Sequence, residues 1–164
     1  MDAQTPVQIA WVTRDLDATE KTLTDLLGAK KWVRIPAVHF APDTCTHRGR
    51  PADFVANISL SYAGDTQLEL IEPVSGDSVY TEFLDTAGPG LHHICVEVAS
   101  IEAFEAALAD AEGNGTPVAA RGVMTGGHYF AYVAAPGAAV PFIEIAYVSD
   151  EIKAFYDYVK QEQL

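Results

Sequence analysis

The feature that most constrains this chain is an ordered internal duplication. Moved 85 places along, Gln8 falls on His93, Leu16 on Ile101, Leu23 on Leu108 and Gly28 on Gly113, while Asp15 falls on Ser100. A shift of 75 places superposes Leu68-Glu69-Leu70 on Ile143-Glu144-Ile145, and the change of shift implies loops of different length in the two copies. Any one match could be chance, because apolar and helix-ending residues are common. A whole series in one order is much harder to obtain that way.

Each copy reads as βαβββ. In the first, Val7 to Thr13 is rich in β-formers, and Asp17 with Glu20 gives a capping signal for a helix bearing Leu23, Leu26 and Leu27 that stops at Gly28. Trp32 to Val38 and Phe54 to Tyr62 read as strands flanking a long loop, residues 39–53, and the Gly64-Asp65 turn leads into a strand from Gln67 to Ile71. A connector follows, with a short helix over Val79 to Leu84 and the breaker Gly88-Pro89-Gly90. The second copy offers a strand over Leu91 to Val98 and an amphipathic helix over Ile101 to Glu112 with Ile101, Phe104 and Leu108 on one face. After these come a short strand at Val118 to Arg121 and a hairpin of Tyr129 to Ala134 with Val140 to Tyr147 around Pro136-Gly137. Asp150 to Gln163 makes a final surface helix. The expectation is one α+β domain over 1–164, with module one at 6–74, module two at 90–148 and a C-terminal helix at 149–164.

Composition narrows the class. With 164 residues, 49% of them hydrophobic, the chain can sustain a core without staples, and Cys45 and Cys95 form neither a disulfide framework nor a zinc spacing. Ten Lys plus Arg against 23 Asp plus Glu give a formal charge of -13, which repels phosphate backbones and anionic membrane surfaces. No apolar run approaches the ~20 residues of a membrane span, and the N-terminus lacks an export signal. A soluble cytoplasmic protein without nucleic-acid or membrane partners is expected.

Chemistry concentrates in four polar residues on the first and last strands of the copies: Gln8, Glu69, His93 and Glu144. Glu69 in QLELI and Glu144 in FIEIA are flanked by large apolar side chains, so each carboxylate points either to water or into a shared cavity. A lone buried carboxylate costs several kcal/mol, roughly, so a buried pair needs neutralising. One divalent ion does this: two carboxylates cancel its charge, and an imidazole and a Gln carbonyl complete a mixed O/N shell suited to zinc, nickel, cobalt, manganese or iron. Taken singly, Gln8 and either Glu read as ordinary outward strand residues. Strand alternation turns His92 away from the face that His93 presents, and the repeat selects His93.

GPGLHHICVEV, DTQLELIEP, FIEI near the C-terminus and VTRDLDA after the first strand resemble the vicinal oxygen chelate superfamily, which includes glyoxalase I and methylmalonyl-CoA epimerase. The resemblance covers residues 6 to about 147 and implies two paired βαβββ modules forming a curved, partly open mixed sheet around a metal site. It places Gln8, Glu69, His93 and Glu144 on the ligand positions. The ligand order resembles animal-type glyoxalase I, whereas LIEPVSGDS and LHHICVEV are closer to the epimerases. Val12 and Pro73 stand where glutathione-using members carry Arg and Asn, which argues against glutathione, and Gln8 replaces the usual first His of an epimerase.

The resemblance further implies a metal-dependent isomerase, epimerase or lyase that removes a proton beside the carbonyl of a small compound, the enolate being stabilised by the ion. Glu144 is the first choice of base and Glu69 its opposite-face partner. Candidate substrate contacts are Asn57 and Ser59 on the third strand, His39 and Phe40 from the long loop, and Tyr129. A homodimer is expected, with the site formed within one chain or across two. The alternatives are a sequestering module of the resistance type and, with Gln8 against it, a ring-cleaving dioxygenase using two His and one Glu on iron.

Overall fold

The computed structural model describes residues 2–164. The first module is β1 (Pro6–Val12), α1 (Leu16–Leu27), β2 (Val33–Phe40), β5 (Phe54–Ala63) and β6 (Thr66–Ser75), with a small hairpin, β3 (Cys45–His47) and β4 (Arg50–Pro51), inserted between β2 and β5. Helix α2 (Val79–Ala87) leads to the second module: β7 (Gly90–Glu97), α3 (Ile101–Gly113), β8 (Val118–Met124), β9 (His128–Ala134) and β10 (Phe142–Tyr147). Helix α4 (Asp150–Gln161) closes the chain.

All ten strands form one sheet in the order β2-β5-β6-β1-β7-β10-β9-β8-β3-β4. The order is symmetric about β1 and β7, which run antiparallel, while β1 lies parallel to β6 and β7 parallel to β10. The duplication thus survives as two equivalent half-sheets joined by their first strands. Asp15 and Ser100, superposed by the 85-place shift, are the N-caps of α1 and α3, accepting hydrogen bonds from the amides of Ala18 and Ala103. The capping signal expected at Asp17 is thereby moved. Asp17 lies in the first turn, and Glu20 reaches out to Arg34 instead.

The expected 39–53 loop is largely strand. His39 and Phe40 finish β2, and β3 pairs with β8 of the other module. Strands β2 and β3 sit near opposite ends of the sheet order, yet five chain steps join Phe40 to Cys45. Five steps reach at most about 18 Å, so the sheet must curl until its edges nearly meet. Interior aromatic residues hold it in that shape: Phe40 stacks on Phe54 at 4.4 Å and meets Phe130 edge-on at 5.8 Å. On the outer face, Phe104 and Leu108 of α3 pack on Ala131 and Val133 of β9.

Candidate metal centre and adjoining cavity

Strand register brings the four repeat-related residues together. On the concave face Ala10 lies between Glu69 of β6 and His93 of β7, Gln8 pairs with Gln67 and Cys95, and Glu144 of β10 lies opposite Cys95 and Tyr132. His93 is fully buried, and its Nε2 lies 3.1 Å from Glu144 Oε2, 3.3 Å from Glu69 Oε2 and 3.2 Å from Gln8 Oε1. One donor atom from each of Glu69, His93 and Glu144 falls within a 4.8 Å cluster. A single chain supplies all of these groups.

The surroundings aim these donors. Gln8 Nε2 donates to Gln67 Oε1 at 2.6 Å, and Gln67 Nε2 in turn donates to the Tyr62 hydroxyl, so the Gln8 carbonyl oxygen faces the cluster. His93 Nδ1 lies 2.9 Å from His92 Nδ1. Burial, followed by the neighbouring His93, keeps the His92 imidazole neutral, well below its ordinary pKa, so it can accept the His93 Nδ1 proton and leave Nε2 facing the two acids. The expectation that His92 faces away fails here. Ala10 pairs with His93 but Trp11 pairs with Leu91, so His92 is the extra residue of a β-bulge, and both imidazoles end up buried and in contact.

The protonation energetics of the metal-free cluster follow from this packing. Burial opposes a charge on His93, but hydrogen bonds and charge from Glu144, then from Glu69, outweigh it and lift the imidazole to about 9. Burial likewise disfavours the Glu144 carboxylate, yet the His93 contact overcomes it and the pKa falls below the ordinary value. The cluster therefore holds two acids and one proton-bearing imidazole, with no Lys or Arg beside it among the described residues. Two carboxylates, one imidazole and one amide oxygen match the donor preferences of a borderline divalent ion, whose charge balances the acids.

Beside the cluster opens a cavity of about 650 Å³. Glu69 lines it, whereas Gln8 and Glu144 border a separate, much smaller recess, with His128 and Tyr156 bordering both. His39 and Phe40 line the cavity. Asn57, Ser59 and Tyr129 do not. Alternation along β5 gives Ile58 and Leu60 to the cavity and turns Ser59 to Glu20 of α1, while Asn57 bonds Glu72 and the backbone amide of Ala37. Tyr129 packs edge-on against Phe104 of α3, because its neighbours His128 and Phe130 take the inner face of β9.

Asn57 still shapes the cavity indirectly. Strand β2 bulges between Ile35 and Val38, Ala37 adopts a left-handed φ of 52°, and its amide donates to Asn57 Oδ1 at 2.8 Å. Gln67, Tyr80 and the α4 residues Ile152, Phe155 and Tyr156 are not singled out as site residues by the sequence. The even spacing of Gln67 and Glu69 on one strand was the available signal for Gln67. The α4 residues carried none, because that helix has no counterpart in the repeat.

Residues 7–132 match the family profile described as the glyoxalase/bleomycin resistance protein/dioxygenase superfamily; Glu144 and α4 lie beyond that span. Among solved structures, methylmalonyl-CoA epimerase from Mycobacterium tuberculosis is 20% identical with a TM-score of 0.61, over 94% of this chain and 97% of that one. A hypothetical protein from Bacillus halodurans C-125 is 20% identical with a TM-score of 0.60, over 91% and 97% of the two chains. A methylmalonyl-CoA epimerase in complex with methylmalonyl-CoA and NH4+ is 18% identical with a TM-score of 0.60, over 92% and 99%. An uncharacterized Bacillus subtilis (strain 168) protein is 50% identical over 38 residues, 23% of this chain and about a quarter (27%) of that relative's length. No helix among the described residues is long and apolar enough to cross a membrane.

Proposed function

This chain belongs to the glyoxalase/bleomycin resistance protein/dioxygenase superfamily, and on that premise we propose that it is a metal-dependent isomerase, epimerase or lyase moving a proton next to a carbonyl. The observation that carries the reading is the convergence of Glu69, His93 and Glu144 within 4.8 Å at the wall of a cavity large enough for a small molecule. Gln8, Glu69, His93 and Glu144 would hold the ion. Bound there, a divalent cation would polarise a carbonyl oxygen and offset the charge left when the adjacent proton departs.

The two acids are not equivalent. Glu144 is 4% exposed and borders the small recess but not the cavity, so its role is to hold the ion with His93. Glu69 opens to the cavity and is the carboxylate within reach of a substrate proton, which reverses the order of preference drawn from sequence. His128, bordering both spaces, would be the group that returns the proton.

The test joins metal analysis of the purified chain to proton exchange in heavy water against hydroxyketones, hemithioacetals and acyl thioesters. The expected result is about one divalent ion per chain, and deuterium incorporation into a substrate that drops at least about 100-fold in Glu69→Gln at saturating metal. Exchange at the wild-type rate in that variant would remove Glu69 as the base. No exchange with any compound would favour a binding protein of the same fold.

A further inference from the structure

The cavity beside Glu69 has a composition that restricts what can enter it. Ile58 and Leu60 of β5, Met124 of β8, Phe130 of β9, and Phe155 and Tyr156 of α4 face into it, and neither Lys nor Arg lines it among the described residues. Its ionisable lining is Glu69, two histidines and three tyrosines, in a chain of formal charge -13. Apart from the ion itself, nothing among the described lining residues is built to hold a phosphate or a carboxylate, and in the metal-free chain Glu69 repels either one.

Cations elsewhere do not fill the gap. Of the ten Lys and Arg residues, Lys21, Lys31, Arg34, Arg48, Arg121 and Lys160 are each engaged by a carboxylate. Arg48, the cation nearest in sequence to β3, is bonded through two nitrogens to Glu82. The other four, Arg14, Lys30, Arg50 and Lys153, contribute nothing to the cavity lining.

Helix α4 forms one wall. Its N-terminal half supplies Ile152, Phe155 and Tyr156 to the cavity, while its C-terminal end is fastened by Gln163, which accepts from the amides of Lys30 and Lys31. The helix lies outside both repeated modules.

We propose that the cavity admits a neutral, largely apolar carbonyl compound bearing a ring-sized side chain, with the aromatic face of α4 as the element that selects it. The proposal rests on the proton-transfer reading of the same site, because it orients the ligand with its carbonyl at Glu69 and its side chain against α4. A lining without cations disfavours coenzyme A thioesters, although an epimerase solved in complex with methylmalonyl-CoA shares the fold.

The test is calorimetric titration of the full chain, zinc-loaded and metal-free, with three probes: 1-phenyl-1,2-propanedione, the anion phenylpyruvate, and propionyl-CoA. The dione is expected to bind the zinc-loaded chain at least about tenfold more tightly than either anion, and Phe155→Ala to weaken it about tenfold at unchanged zinc content. Thr125→Lys, at an exposed position on the rim, is expected to shift the ratio toward phenylpyruvate at least about tenfold, and it disturbs no core packing. Tighter binding of either anion by the unaltered chain overturns the proposal, as does dione affinity indifferent to Phe155→Ala. Dione binding that persists in the metal-free chain supports the cavity assignment even where deuterium exchange fails, so the two readings fail separately.

Discussion

Replacing Glu144 by Gln separates a metal ligand from a structural carboxylate, because the two roles predict opposite patterns of stability. In the metal-free protein Glu144 lies 3.1 Å from His93 Nε2, an attraction of roughly 5 kcal/mol at an effective dielectric of about 20. Against it stand repulsion by Glu69, whose donor atom is within 4.8 Å and so contributes roughly 3.5 kcal/mol or more, and a desolvation cost of several kcal/mol. These nearly cancel, so Glu144→Gln is expected to move the melting temperature of chelator-treated protein by no more than about 4 °C in either direction. With the ion present the balance changes. At 100 times its Kd a ligand stabilises the native state by about 2.7 kcal/mol, about 5–10 °C for a chain of this size. A loss of about 100-fold in affinity reduces that gain to a few tenths of a kcal/mol. Thermal unfolding with chelator, and then with zinc, nickel, cobalt or manganese, reads both arms. Equal destabilisation of the variant with and without metal would refute the reasoning, as would wild-type protein that none of these ions shifts.

The metal-free chain also carries a pH signature. His93 is raised to about 9 from an unfolded value near 6.5, so its contribution to stability is complete below about pH 6.5 and disappears as pH climbs through about 9. Glu144 is depressed, so its contribution is present above its unfolded value and is lost as pH falls through the lower folded one. Melting scans of chelated protein should therefore fall off above pH 6.5, and added metal, which replaces the His93 proton, should flatten that limb. Gly76→Ala is expected to cost about 2–5 kcal/mol in denaturant unfolding: φ there is +82°, and a Cβ would sit 2.3 Å from the Asp53 carbonyl oxygen and 2.8 Å from Phe54 Cα. Asn57→Ala removes the acceptor that holds Ala37 in its left-handed conformation. It should cost about 1–2 kcal/mol and weaken dione binding a few-fold while leaving zinc content unchanged.

Much of this architecture was legible because duplication reports on topology as well as on local structure. Gln8, Glu69, His93 and Glu144 could be placed at one centre without coordinates, since equivalent strands of two copies meet at a pseudo-twofold axis and equivalent positions must then face each other. The same logic paired Asp15 with Ser100, which both cap helices, although the local capping pattern pointed two residues further on. Where a second copy existed to compare, the comparison was worth more than propensity.

The misreadings have two physical origins: a ladder broken by a bulge, and a polar face that covers a helix instead of a cavity. His92 was assigned to the far face because residues i and i+1 diverge on a regular strand, but the bulge opposite Ala10 and Trp11 inserts it, and both imidazoles turn inward. For Asn57 and Ser59 the period was right but the face was not, because polar residues on a strand can cover a helix as readily as a cavity. Here Ser59 meets Glu20, and apolar Ile58 and Leu60 take the interior. That inversion bears on function. A site found by searching for polar alternation is expected to be a polar pocket, whereas this one sets a small charged cluster at the edge of a mostly apolar chamber. There the low dielectric strengthens every interaction that Glu69 makes with a departing proton. What cannot be read from a single strand is therefore the property that most restricts the substrate: the wall opposite the ligands, assembled from β5, β9 and a terminal helix outside the repeat.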